Sequence, residues 1–248
     1  MSLFLDAIAW LLAPEQHQGP DSVAIRIGEH LFFTFVAVLI AAAIAVPLGY
    51  FIGHTGRGRE LAVGISGAAR ALPSLGLILL LVLLIGVTQK PLAAFIAFVL
   101  LAIPSILAGA YAGLESIDRR TIDAARAVGM TEWQILFKVE VPLGLPLLIG
   151  GIRAAVLQVV ATVTVAAYIG LGGVGLYIFK GLPLRRFDEM LGGAIIIVVL
   201  AVVLDGLFAL LQRIVVPRGV SAGRIKDVRS STRRRWSVME PSIERVKG

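Results

Sequence analysis

Two charged residues, Arg153 and Asp205, stand inside apolar runs long enough to cross a lipid bilayer. An unpaired charge is costly in hydrocarbon, so one chemistry open to them is an ion pair joining two spans. A second is ion coupling, in which a gradient-driven transporter uses such groups. Counted along their spans the two lie at matching depth, and Arg70, ahead of Pro73, is a rival partner. The plainer alternative is that each side chain snorkels to the interface or lines water.

Other groups offer less. The run Gly170-Leu171-Gly172-Gly173-Val174-Gly175 satisfies a bare GxGxxG, but a dinucleotide site needs a strand before it and a helix after it in a soluble βαβ unit. A tight re-entrant turn suits these glycines better. No GxxxxGK[ST] phosphate loop occurs anywhere in the chain. His17, His30 and His54 are scattered without the spacing of a metal site or a catalytic triad, and the absence of cysteine removes thiolate ligands, disulfides and a Cys nucleophile. The chain is therefore not expected to be an enzyme by itself, or to hold a cofactor or metal.

The elements that must carry these residues follow from composition. Of 248 residues 58% are hydrophobic and only 16% charged, with a mean hydropathy of +0.91, which places the chain in lipid. Five spans are expected: Leu31 to Gly53; Ala71 to Gln89, extended at its start by Glu60 to Arg70; Pro91 to Leu114; Pro142 to Tyr168; and Met190 to Gln212. The fold class is thus all-α integral membrane protein. The chain divides into an N-terminal interfacial segment (1–28), a transmembrane domain (29–220) and a basic tail (221–248). Between the last two spans, Tyr168 to Glu189 is too long for a tight turn and is expected to dip into or lie on the membrane.

The net charge of +7 sits in that tail: from Arg213 onward ten Lys/Arg face three Asp/Glu, leaving thirteen against thirteen before it. A basic end after a final span marks the cytoplasmic face or contact with lipid headgroups, so nucleic acid is not an expected partner. The tail is expected to be disordered, and attraction of Arg233 to Arg235 to anionic lipid would make it sensitive to ionic strength. With the N-terminus outside, the interior receives Arg57, Arg59, Arg119, Arg120, Arg126 and Lys138, the richer set of bases.

That orientation puts DAARAVGMTEWQILFKVEVPLGLP, starting at Asp123, on the inner face between the third and fourth spans. Ala124, Ala127, Val128, Ile135 and Leu136 recur at helical spacing, predicting a short amphipathic helix along the membrane face. Gly129 allows a bend or positive φ, Thr131 and Gln134 stand in capping-box register, and Pro142 opens the next span.

This stretch resembles the cytoplasmic loop of membrane subunits of binding-protein-dependent ABC importers. Their pattern is Glu-Ala-Ala, three residues, Gly, nine residues, Ile, any residue, Leu-Pro. Here it reads Asp123-Ala124-Ala125, Gly129, Val139 and Val141-Pro142, with every spacing kept and each departure conserving charge or apolar character. GMTEWQILFKVEVP, Gly151 to Arg153, the glycine run after Tyr168 and Leu204-Asp205 are most similar to permeases for glycine betaine, carnitine or choline, while methionine permeases share much of the layout.

The resemblance implies a coupling helix, within a region of about 115–141, that docks on a separate ATPase subunit. Asp123, Ala124, Ala125, Gly129 and Pro142 inherit that role. It also implies ATP and Mg held by the ATPase rather than this chain, a second permease subunit, an extracytoplasmic binding protein and a bacterial inner-membrane location. Tyr111, Tyr168 and Tyr177 are available for cation–π contact with a quaternary amine but are scattered, so no substrate ligand is nominated. The rival functions are a methionine or other amino-acid permease and an ion-gradient-driven transporter.

Overall fold

The computed structural model describes residues 2–215; the basic tail, 221–248, lies outside them. Among the described residues the chain is helical, without a strand. In order the helices are α1 (Ser2–Leu12), α2 (Val23–Thr55), α3 (Arg59–Ala71), α4 (Ser74–Ile85), α5 (Lys90–Glu115), α6 (Arg119–Ala127), α7 (Glu132–Ile135), α8 (Val141–Ala166), α9 (Gly175–Leu184) and α10 (Phe187–Val215). Four helical stretches are long and apolar enough to span a membrane: α2, α5 with its preceding turn, α7 running on through α8, and α10. The bent pair α3–α4 makes a fifth.

Side-chain size is sorted in the opposite sense to a soluble bundle. Along α2, Ala37, Ala41 and Ala45 recur every fourth residue and are fully buried, while Phe32, Phe35, Leu39, Leu48 and Phe51 are exposed. Lipid is as apolar as leucine, so helices in it associate through close packing and polar contacts, and small residues collect at their contacts. Against α5 the α2 stripe meets Ala94, Ala97 and Ala110, all without accessible surface. The α5–α8 contact is closer still. A Cβ built on Gly109 would stand 2.7 Å from Leu147 O and 2.9 Å from Gly151 Cα; one on Gly151 would stand 2.6 Å from Ser105 O.

The stretch Glu60 to Arg70, expected to lengthen the second span, is instead a separate helix bent 92° from α4. Pro73 causes the break. It disfavours the helical region for the residue before it, and Leu72 is extended at φ −70°, ψ 128°.

The first span starts at Val23, ahead of the charge-free run from Leu31, because its opening turn carries paired charges. Arg26 contacts Asp21 and donates to Glu29 Oε2 at 2.6 Å. The segment after α8 makes a helical turn and the glycine bend, then folds α9 back onto α10. Helix α1 also packs on α10, with Trp10 over Gly192, and Trp10 meets Tyr177 of α9 edge-on at 5.0 Å.

Neighbouring glycines give a matched test. Gly151→Ala pushes a methyl into α5 backbone and should destabilise the chain by about 1–3 kcal/mol, as overpacking does. Gly150→Ala meets nothing within 4 Å and should leave the thermal melting point in detergent unchanged.

Candidate functional site

At the end of the bundle where α2 and α5 finish, α6 projects from the spans. Asp118 caps it by accepting a hydrogen bond from Arg120 N at 2.9 Å. Its far end closes as a Schellman turn: Met130 N donates to Ala125 O at 3.1 Å and Gly129 N to Arg126 O at 2.9 Å. Gly129 supplies the left-handed residue this turn requires, with φ +86°. Then Thr131 and Gln134 form a reciprocal capping box that starts α7.

Helix α7 runs into a π-turn over Leu136–Glu140, where Val141 N bonds back to Leu136 O. Pro142 explains the widening. It has no N–H for Lys138 O, and its ring would press on that carbonyl in a regular α-helix. The proline therefore sits just after the elbow, half-buried in the first turn of α8.

The amphipathic stripe divides: Ile135 and Leu136 are buried, while its members on α6 are not. Ala125 is the buried residue of α6, whereas Ala124, Ala127 and Val128 face out, Val128 at 78% exposure. Periodicity identifies a stripe but not what covers it; Trp133, 73% exposed, stacks on Phe137 beside the end of α2. Asp123 is also exposed and lies 3.5 Å from Arg126. Arg126 donates to both oxygens of Glu132, at 2.8 and 3.1 Å, and that hydrogen bonding raises its pKa above the ordinary guanidinium value.

Two other members of this corner carry no local signal in the sequence. His54, at the end of α2, donates from Nδ1 to Glu140 Oε2 at 2.6 Å, and its Nε2 lies 3.5 Å from Glu132. Eighty-six positions separate His54 from Glu140, so only the packing of α2 beside α8 brings them together.

Within the spans, Arg153 meets Asp205 through two parallel contacts, Nε–Oδ1 at 2.5 Å and a terminal nitrogen to Oδ2 at 2.6 Å. Arg70 bonds Pro104 O at 3.3 Å instead. The glycine run follows a helix, not a strand, and Gly173 N donates to Glu29 Oε2 at 2.9 Å. Lys180 and Arg26 converge on Asp21 there and hold its carboxyl below the usual range; burial pushes the Tyr177 phenol up to about 12. The tyrosines form no cage. Tyr177 is buried under Trp10, Tyr168 is exposed beside Phe179, and Tyr111 packs where α5 meets α2.

Residues 45–219 match the family described as binding-protein-dependent transport system inner membrane component. The chain belongs to this family. It is 32% identical over 195 residues to the glycine betaine/carnitine/choline transport system permease protein OpuCB of Bacillus subtilis, covering 79% of this chain and 89% of that protein. It is 37% identical over 198 residues to the osmoprotectant import permease protein OsmW of Salmonella typhimurium, covering 77% and 91%. The solved structure of the MetNI methionine ABC transporter in an inward-facing conformation shares the fold, with a TM-score of 0.70 at 21% identity over 85% of this chain and 98% of that one.

Members of this permease family are multi-pass inner-membrane subunits that transport rather than catalyse, and they work with an ATPase and a substrate-binding protein.

Substitutions at Gly129 probe the corner, and substitutions at Arg153 and Asp205 probe the ion pair. Gly129→Ala forces a side chain into a left-handed residue with open space around it, so its cost is conformational, about 1 kcal/mol. Hydrogen exchange of residues 119–135 should quicken for Gly129→Ala, and less for Gly129→Asn, which tolerates that conformation. For the ion pair, Asp205→Asn and Arg153→Gln should each lower the melting temperature in lipid nanodiscs. Exchanging the two charges should recover most of the loss; no recovery would mean the contact does not stabilise the spans.

Proposed function

We propose that this chain is the permease subunit of an ATP-driven importer for a small osmoprotectant: glycine betaine, carnitine, choline or a similar quaternary amine. Two relatives named for such cargo, at 32% and 37% identity over most of their lengths, are the observation that carries this reading. The membrane orientation has the N-terminus outside and the α6 end in the cytoplasm. Arg57, Arg59, Arg119, Arg120, Arg126 and Lys138 at that end support it.

In this reading α6 is the coupling helix. Asp123 and Ala124 present an exposed, small-residue surface to a groove of the ATPase, Ala125 seats the helix, and Gly129 and Pro142 fix the corners on either side of α7. The apolar exposure of Val128 on the projecting α6 supports a protein partner, since a partner's surface would remove it from water. Two ATPases closing on bound ATP and Mg would push the α6 helices of this chain and of a second permease, identical or homologous. That rocks the pair between inward- and outward-facing states, while an extracytoplasmic binding protein delivers cargo.

The test is a complex reconstituted in proteoliposomes with its ATPase and binding protein. ATP hydrolysis and uptake should be stimulated by at least one of glycine betaine, carnitine and choline, not by methionine, and should survive collapse of the ion gradients. Stimulation by methionine alone would reassign the cargo. Uptake that persists without the ATPase but stops with the gradient would replace the mechanism.

A further inference from the structure

A lever delivers displacement only if its joint does not bend, and the joint here has a weak place. Helix α6 packs chiefly on α7, and a polar cleft of about 460 Å³ separates it from the ends of α2 and α5. From α7 the helix runs on into α8 as one stretch, interrupted at Leu136–Glu140 by the π-turn, where the regular i→i−4 bonding is lost. Pushed from below, the stretch would give first at that interruption, where only buried Ile135, Leu136 and Glu140 anchor it.

Side chains cross the joint. Glu132 stands before the π-turn and holds Arg126 of α6; Glu140 is the turn's last residue. His54 touches both carboxylates, one with each ring nitrogen. Its own helix is firmly based: a Cβ on Gly49 would lie 2.4 Å from Ala110 Cβ, and one on Gly53 2.9 Å from Tyr111 O, so the end of α2 is pressed onto α5. Glu140 is only 6% exposed, and a buried carboxylate needs a partner, which His54 provides.

We infer that His54 is a positioning residue for transport, a strut whose Nδ1–H clips the end of the π-turn to α2 and whose Nε2, when the ring is protonated, also holds Glu132 ahead of the turn, so that α6, α7 and the α2–α5–α8 block move as one body. The path runs from Asp123 through Arg126, Glu132 and His54 to Glu140, linking the docking helix to the close contact of α2 with α5. This inference rests on the docking of α6 proposed above, and it adds that docking without the strut is unproductive. Without His54 the ATPase still binds and hydrolyses ATP, but its strokes are absorbed in the elbow.

The experiment uses the full complex in proteoliposomes, with glycine betaine as the transported probe. Ala124→Cys crosslinking to the ATPase reads docking, unambiguously so because the chain has no cysteine of its own. His54→Ala should retain the crosslink and the ATP hydrolysis rate, while glycine betaine moved per ATP falls at least about fivefold, the lower end of typical coupling between sites. His54→Asn, which keeps a donor near Glu140, should fall less, and Glu140→Gln combined with His54→Ala should fall no further than His54→Ala alone. Should His54→Ala fail to assemble, His54→Asn and Glu140→Gln carry the same comparison. An unchanged ratio of transport to hydrolysis in a crosslinking-competent variant overturns the strut and leaves the docking intact. A parent complex that neither crosslinks at Ala124 nor moves glycine betaine overturns the docking reading, and the strut with it.

Discussion

The close approach of α5 to both α2 and α8 is the constraint on which the rest of the molecule depends. In water a bundle is assembled by expelling solvent from large apolar side chains, but lipid offers no such gain, so contact must come from short separations and many dispersion contacts. Gly109 and Gly151 bring two backbones nearly into van der Waals contact, and the alanine stripe of α2 does the same on the other side of α5. Although Phe98, Ile78 and Ile106 are fully buried, many large residues are displaced to the outside. There they face lipid or another subunit, which explains why so apolar a chain exposes Phe35, Leu39, Val202 and Leu207.

That block gives polar residues at its ends fixed positions. At one end, Asp21, Arg26, Glu29 and Lys180 hold the glycine bend and α9 to the start of α2. At the other, His54, Glu140, Glu132 and Arg126 lie between the spans and the projecting α6. The two networks are built alike, each pairing a largely buried charge with half-exposed ones: Arg26 with Asp21 and Lys180 at one end, Glu140 with Glu132 and Arg126 at the other. Between them the Arg153–Asp205 fork joins α8 to α10, whose packing against the other helices is otherwise the looser.

Much of the α6–α7 corner is legible in the sequence, because its determinants are local. A glycine needing positive φ and a Thr131/Gln134 cap act over three or four residues, and both features form where the spacing puts them. Apolar runs likewise locate the spans. Their ends are less legible: α2 gains its first turn from ion pairs with Asp21 and Glu29, and a hydropathy pattern sees those charges only as an end to the run. The bend at Leu72 is signalled by Pro73, but its 92° angle depends on where α3 and α4 pack against α5. The apolar stripe of the corner divides, with Ala124, Ala127 and Val128 uncovered and Ile135 and Leu136 buried, since a period of 3.6 residues fixes which residues share a face and leaves open what meets that face.

By itself the sequence determined that the chain is a helical membrane protein, where its elbow turns, and which family spacing that elbow carries. These follow from short-range backbone chemistry and the cost of placing charge in hydrocarbon. Only the tertiary structure decided that His54 reaches Glu140, that Arg153 faces Asp205 while Arg70 turns to Pro104, and that Val128 and Trp133 stand uncovered. Contacts between residues tens of positions apart are set by how helices rotate and approach, and that rotation is chosen by the summed packing of whole faces, which no local pattern encodes.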